Sequence, residues 1–548
     1  MSGSITLENR FGVNKMELIS LKYAIFVIVL LVLYYCFPKK YRWYVLLAGS
    51  MAYYVIICKW YVLFIIFTIC TTYGSTIWID KLLKKQNAIV KSHKEDWDRQ
   101  TRKDYKEKGR KKRVAVMLFA LLCNFGILAF LKYIPYAGEL GLLLPLGISF
   151  YTFQSMGYVM DVYREIVEPE KNFLKVALFV SFFPQIIQGP IAIYDKLAGQ
   201  LYEGHSLRLE NLQKGALLVL WGVMKKLVIA DRAVNIINFV MDKPMDFSGT
   251  YVFFAAVVYA LQLYADFSGG IDIVRGIAEM FGITMSTNFN HPYFSRSLTE
   301  YWHRWHMTLG DWCRNYIFYP LSISKRFLNF GKWLKPRFGA HISKVLPGCI
   351  ASVITFIVIG VWHGANMKYL YFGLWNGIVI MLAELFAPVS KKVAGGFFKL
   401  TGLREKGIFA TIVSVIWTFM LILVGYYFDI AANASTAFHM LFKSVTDFHI
   451  SELGINNIIL NLGACGLDEY DILLLIICTL LWFFISFVEE NKKLDMRDFI
   501  LSRKLPLRWA IIYLGIFIVI IFGYYGPGVN PADFVYMPVS YTHLTLPT

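Results

Sequence analysis

Charge is scarce in this sequence, and paired cysteines are missing from it. Of 548 residues only 17% are charged, against 57% apolar and 17% aromatic. A soluble domain of this length has no need of so apolar a composition. The eight cysteines, at positions 36, 58, 70, 123, 313, 349, 465 and 478, form no C-x-x-C pair, and most fall inside apolar runs. They read as small buried hydrophobes, which argues against a disulfide framework and a zinc site. A phosphate loop, a dinucleotide fingerprint and a G-x-S-x-G elbow are all lacking. There is no internal repeat and no soluble domain. No cleavable signal peptide is expected: residues 1–15 are polar, and the first apolar run is too long for a signal h-region. Met16 offers an alternative start.

What remains is a succession of long apolar runs, with a mean hydropathy of +0.51. They read as membrane-spanning helices. The net charge of +18 could suggest nucleic acid, but the basic residues cluster in loops between apolar runs. That is the pattern of cytoplasmic loops in a polytopic protein, so membrane lipids and not nucleic acid are the expected surroundings. Spans are expected at 19–37, 43–58 and 60–79. Residues 81–113 follow, with fourteen basic and five acidic side chains. Such a stretch is a cytoplasmic loop or surface helix, and counting back places the N-terminus outside. Further basic loops fall at 325–344, 391–406 and 491–508, and 431–470 reads as external. The predicted fold is all-α, with about 11–13 transmembrane or re-entrant helices. Pro145-Leu146-Gly147 and Phe182-Phe183-Pro184-Gln185 are expected to break helices. The freed backbone groups then need protein or water partners. Either these segments line a cavity or they are simple proline kinks.

The polar exception is 288–321, which holds His291, His303, His306, Arg296, Arg304, Arg314, Asp311, Trp302, Trp305 and Trp312. Ionisable groups at membrane depth usually mark a pathway or a site. The alternative is a cytoplasmic loop with interfacial anchors. His303 and His306 are three apart, so on a helix they would share a face. No carboxylate–histidine set completes a usual metal site around them, and no metal is expected. Asp266 and Asp272 near Gly269-Gly270 are read as caps of a following helix, or else as ligands of a cation or polar substrate. Lys225, Lys226, Asp231 and Arg232 read as a helix terminus at the interface with snorkelling side chains. The turn Trp362-His363-Gly364-Ala365-Asn366 lies between two apolar runs. A neutral imidazole there suits general-base chemistry on a hydroxyl attacking an acyl group, or is a structural histidine.

Several ordered motifs resemble the membrane-bound O-acyltransferases, in particular the alginate O-acetyltransferase branch. They are Pro145–Gln154, Phe182–Gln185, Tyr264–Gly269, Asn288–Tyr293, Arg304–Leu309 and Trp362–Ala365. The resemblance runs from about Met16 to Tyr536. It implies helices around a central funnel or tunnel, and acyl transfer from a cytoplasmic thioester, with acetyl-CoA as substrate and no bound cofactor. It implies a polysaccharide acceptor and an SGNH-like extracytoplasmic partner in a bacterial plasma membrane. It also implies His363 as general base and His306 as an assisting group. Trp305, Arg304, Trp362, Asn290, Asp266 and Asn366 are the substrate-binding candidates. Two departures stand out: His303 occupies a position where the branch often has Arg, and Gly425–Asp429 replaces its Trp-x-Phe-Phe-Arg pattern. The expected organisation is an extracytoplasmic segment at 1–18 and a membrane domain at 19–536. The latter includes the cytoplasmic loop 81–113 and a catalytic region at 264–387. Residues 537–548 continue no pattern and read as appended adapter sequence. D-alanyl transfer to teichoic acid, or a transporter or flippase path through the broken helices, are the competing readings.

Overall fold

In the computed structural model the described residues are 18–134, 142, 144–401, 404, 407–454 and 465–525. Residues 1–17 of the expected segment 1–18, and the expected tail 537–548, lie outside them. All regular structure among the described residues is helical. Among the described residues, seven helices are long and apolar enough to cross a membrane, or eight if one bent pair is a single span. Two shorter apolar helical stretches, Leu21–Cys36 and Phe173–Gln188, accompany them. The chain is therefore an all-α, multi-pass membrane protein. It divides into two compact units, one built on residues up to 220 together with 270–286, the other on 221–269 and residues from 287 onward.

The first unit begins with α1 (Leu21–Cys36), whose first turn is capped by Ser20 Oγ accepting from Tyr23 N at 3.2 Å. α2 (Arg42–Cys58) and α3 (Val62–Ser92) follow, separated where Lys59 adopts a φ of 49°. The basic stretch 81–113 is mostly helical, closing α3 and opening α4 (Arg99–Tyr133) around an Asp98 cap. Helices continue past their apolar parts because Lys and Arg are good helix formers.

The proline-broken segments do interrupt helices. α5 (Ile148–Tyr163) starts after Gly147, at φ 70°. A Cβ at Gly147 would lie 2.3 Å from Ile186 O, so only glycine fits. α6 (Phe173–Ser181) stops at Phe182, and α7 (Phe183–Gln188) begins there with Pro184 in its first turn. Polar side chains take up freed backbone groups: Ser50 Oγ accepts from Phe183 N at 3.1 Å, and Gln154 Nε2 donates to Phe179 O at 2.6 Å. Gln185 Nε2 donates in turn to Gln154 Oε1. A helix broken in an apolar setting requires such partners. α8 (Tyr194–Tyr202) completes this part.

α9 (Leu209–Met224) leads through a π-helical turn, Lys225–Ala230, into α10 (Asp231–Met241). The expected interfacial terminus with snorkelling charges is not observed. Lys225, Lys226 and Asp231 are buried, 3%, 2% and 2% exposed. The helical path does not end at these residues; Asp231 and Asp266 meet Lys226 indoors, and Ser268 Oγ accepts from Lys225. The expected break at Gly269-Gly270 is also absent. α11 runs unbroken from Gly249 to Met280, so Asp266 is a mid-helix residue and caps nothing. Asp272 pairs within the helix with Arg275, at 3.5 Å. Two adjacent glycines did not end the helix because close packing favours them: a Cβ at Gly269 would lie 2.9 Å from Gly222 O.

In the second unit α12 (Leu298–Arg304) and α13 (Met307–Cys313) flank His306, and α14 (Tyr319–Ser322) follows. α15 (Lys325–His363) is kinked at Gly339, with φ 80°. It forms a close hairpin with α16 (Met367–Leu385). α17 (Ala387–Thr401), α18 (Ile408–Ile430) and α19 (Ala434–Thr446) come next. The last helices are α20 (Glu469–Lys492), α21 (Met496–Leu501) and α22 (Leu505–Phe522). α20 opens on a capping box of Asp468 and Asp471.

Candidate active site

His306 is the best-enclosed imidazole of the site, 2% exposed. It occupies the junction between α12 and α13 at φ 43° and ψ 51°. A non-glycine residue in this region costs of order 1–3 kcal/mol and persists only when its surroundings hold it. They do so here through Asn288. The main-chain carbonyl of Asn288 accepts from Met307 N at 2.9 Å, and Asn290 N donates to Arg304 O at 3.0 Å. The side-chain Oδ1 of Asn288 accepts from Thr308 N at 3.1 Å and Thr308 Oγ1 at 2.8 Å, and lies 3.1 Å from His306 Nδ1. Phe267 of α11 packs edge-on against the ring at 4.9 Å. Burial, with a smaller contribution from His363, pushes the His306 pKa down to about 3. The ring is neutral at physiological pH.

The junction also separates His303 from His306. His303 ends α12 exposed, its Nδ1 3.0 Å from Arg314 Nη2, while His306 is indoors. The two do not share a helix face as their spacing suggests, because the chain leaves helical geometry between them. Burial and then the Arg314 charge lower the His303 pKa.

His363 closes α15, and Asn366 caps α16 by accepting from Lys368 N at 3.1 Å. Gly364 lets this turn fold tightly: a Cβ there would meet the Tyr369 ring at 2.5 Å. The His363 ring packs against Trp362 at 4.8 Å, Phe372 at 5.4 Å and Tyr369 at 5.9 Å. Trp362 in turn faces His306 at 6.3 Å. Trp362 thus packs against two imidazoles from elements far apart in sequence. An aromatic wall surrounds them. Trp305, 4% exposed, packs on Phe289 at 5.0 Å, Tyr301 at 5.7 Å and Tyr264 at 5.9 Å.

Other candidates have structural partners. Arg304 Nη2 donates to Glu490 Oε1 at 3.0 Å and lies 2.7 Å from Glu300 Oε1. Asp266 pairs with Lys226 at 2.7 Å. Asn366 and Asn290 are exposed. His291, the remaining histidine of the stretch, lies 3.7 Å from Glu489 Oε2. Burial lowers its pKa, opposed by Glu490. Among the described residues no three His, Cys, Asp or Glu side chains are grouped to hold a metal ion.

Residues 169–335, which include the Asn288–Thr308 clamp, match the model of the membrane-bound O-acyltransferase family, MBOAT. The likeness to that family covers this stretch of the chain. Its matched part contains Asp266, Asn290, Arg304, Trp305 and His306, while Trp362, His363 and Asn366 lie C-terminal to it. Curated proteins similar to the chain include a probable alginate O-acetylase of Pseudomonas syringae pv. tomato. It is 30% identical over 57% of this chain and 54% of the relative. A peptidoglycan O-acetyltransferase of Helicobacter pylori is 30% identical over 50% of this chain and 56% of the relative. A teichoic acid D-alanyltransferase of Bacillus subtilis is 26% identical over 52% and 67%. The chain spans a little over half the length of the O-acetylating relatives it matches.

Two features of the chain escaped the sequence reading. One is the clamping role of Asn288, eighteen positions from His306. The other is the buried group of Lys226 with Asp231 at 2.8 Å and Asp266 at 2.7 Å, beside Lys225 bonded to Ser268 at 2.8 Å. Burial raises the Asp231 pKa to about 7 against the pull of Lys226. No periodicity marks either feature; only adjacent lysines inside an apolar run hinted at the second.

Proposed function

We propose that this protein is a membrane O-acyltransferase of the bacterial plasma membrane. It moves an acetyl group from cytoplasmic acetyl-CoA across the membrane for O-acetylation of an exported or cell-surface polysaccharide. An SGNH-like acetyltransferase outside the membrane is its proposed partner. The observation carrying this reading is the packing of Trp362 against both His306 and His363 within a multi-pass fold. The activities of the O-acetylating relatives support it.

In the proposed reaction His363 takes the proton of an attacking hydroxyl as its oxygen bonds to the thioester carbonyl carbon. The C–S bond then breaks, and the proton passes to the departing thiolate. His306, uncharged, assists beside the thioester. Mutual repulsion means that the pair holds one proton more easily than two, which suits a single-proton shuttle. Trp305 and Trp362 would keep water from the thioester.

The test is release of acetyl from labelled acetyl-CoA by the purified protein, with base-labile acetyl on the cell-surface polysaccharide as a second readout. His363→Ala is expected to lower both by ~10²–10⁴-fold, the usual scale of general-base loss. Unchanged acetylation in a folded His363→Ala protein would overturn the assignment. A second reading, D-alanyl transfer to teichoic acid, has one observation in its favour. The matches to D-alanyltransferases cover 67–69% of those relatives, more than the O-acetylating ones reach. Turnover with a D-alanyl carrier protein but not with acetyl-CoA would favour it.

A further inference from the structure

The hydrogen-bond pattern around Asn288 fixes more than the backbone of the turn. The orientation of its amide is decided by Thr308. A main-chain N–H can only donate, and Thr308 N points at Asn288 Oδ1 at 3.1 Å. The atom facing Thr308 is therefore oxygen, and the flipped amide would set two donors against each other. The same oxygen lies 3.1 Å from His306 Nδ1. A carbonyl oxygen accepts and cannot donate, so an unprotonated Nδ1 would place two lone pairs face to face. The imidazole carries its proton on Nδ1, and Nε2 holds the lone pair.

We propose that Asn288 is a positioning residue for the acyl transfer, locking His306 as the Nδ1–H tautomer so that its Nε2 can serve only as an acceptor. This rests on the function proposed above and specifies what the assisting group does. His306 presents Nε2 as a hydrogen-bond acceptor beside the thioester and, being neutral, has no Nε2 proton to hand to the leaving thiolate. The proton which that thiolate takes up is the one His363 removes from the attacking hydroxyl. Asn288 is itself 1% exposed, and its main-chain carbonyl holds Met307 N, so neither its side chain nor its backbone has room to turn. The His306 ring is confined on another side by Phe267 at 4.9 Å, and Trp362 is 6.3 Å away. The titratable group whose field reaches it is His363 of α15.

A carboxylate in place of the amide would keep the shape and reverse the preference. Asn288→Asp sets an anion beside Nδ1, favouring the imidazolium and raising the His306 pKa by roughly 1–3 units. Asn288→Ala removes the lock and frees the ring to sample both tautomers.

The deciding experiment is ¹⁵N spectroscopy of histidine-labelled full-length protein in lipid nanodiscs, the His306 signals being assigned by their loss in His306→Gln. The expected result for the unmodified protein is a protonated Nδ1 and an unprotonated Nε2 at pH 7. A protonated Nε2 would overturn the proposal, with no variant and no activity needed. In Asn288→Asp the ring is expected to become doubly protonated at a pH where the unmodified ring is neutral. A parallel arm follows thioester-dependent acyl transfer against pH. Asn288→Asp should displace the limb of the profile belonging to His306, while a purely structural role would lower the rate at every pH without moving it. An unmodified protein that turns over no thioester, yet shows the Nδ1–H tautomer, would defeat the functional reading and leave the lock standing. Turnover with an unshifted Asn288→Asp profile and an unchanged ring protonation would defeat the lock alone.

Discussion

Lys226 Nζ lies 2.7 Å from Asp266 Oδ1, and the two side chains are 3% and 0% exposed. Asp231 closes the group from the other side, 2.8 Å from the same ammonium. One cation thus answers two buried carboxylates. Asp266 belongs to a spanning helix, Lys226 to the π-helical turn and Asp231 to the start of α10. Removing the cation leaves both acids uncompensated. Lys226→Met is expected to cost about 3–5 kcal/mol, the usual penalty for breaking a buried pair. Thermal unfolding in detergent checks it. Lys226→Met combined with Asp231→Asn and Asp266→Asn should unfold later than Lys226→Met alone, since no charge is then stranded. If the single variant unfolds at the same temperature as the unmodified protein, the three groups are not coupled.

Acidification provides a second test. The His306 pKa is held at about 3 in the folded chain, against about 6.5 for an exposed imidazole. Between those values the unfolded chain binds a proton that the folded chain does not. Folding stability from this group is therefore full above about pH 6.5 and falls as the pH drops towards 3. His306→Gln removes the titration. The difference in unfolding temperature between variant and unmodified protein should therefore shrink, or change sign, on going from pH 7.5 to pH 5. A difference independent of pH would show that His306 is already protonated in the fold or is not desolvated.

His303 supplies the contrast. It is exposed, and its one described polar contact is with Arg314. His303→Ala should change stability by less than about 0.5 kcal/mol, as for most surface substitutions, and leave acyl transfer near its original rate. A loss comparable with that of His306→Ala, measured in the same assay, would place His303 in the site.

The α15–α16 hairpin brings His363 to its place through glycines. A Cβ at Gly373 would lie 2.3 Å from Phe356 O, and one at Gly360 2.2 Å from Tyr369 O. The colliding atoms are backbone, which cannot swing away. Gly373→Val is expected to destabilise the hairpin by about 1–3 kcal/mol or more. It should also reduce acyl transfer although His363 is intact. Full activity and an unchanged unfolding temperature would mean that the helices can part without disturbing the site.

Much of the architecture is a property of local sequence. Apolar length, basic loops and proline breaks act within a few residues of each other, so the spans, the interruptions at Gly147 and Phe182 and the turn at Gly364 were legible before any coordinates. Hydropathy is additive along a chain, and a helix in lipid must satisfy its own backbone wherever it lies. The errors have a common origin. Gly269-Gly270 reads as a break, yet glycine is tolerated in a helix that another backbone approaches closely. Lys225 and Lys226 read as interfacial because a lysine's cost indoors depends on an acid forty positions away. His303 and His306 read as one face because nothing in their spacing announces a left-handed residue between two helices.

The sequence by itself determined that this is an all-helical membrane chain with a histidine-bearing polar stretch, since those features follow from hydropathy and residue type. Which histidines pack against Trp362, which one is buried and which of its two nitrogens faces Asn288 came from the three-dimensional packing. Those outcomes depend on contacts between α11, the 288–308 turn and α15, and a hydrogen bond is made by proximity in space, to which spacing along the chain is blind.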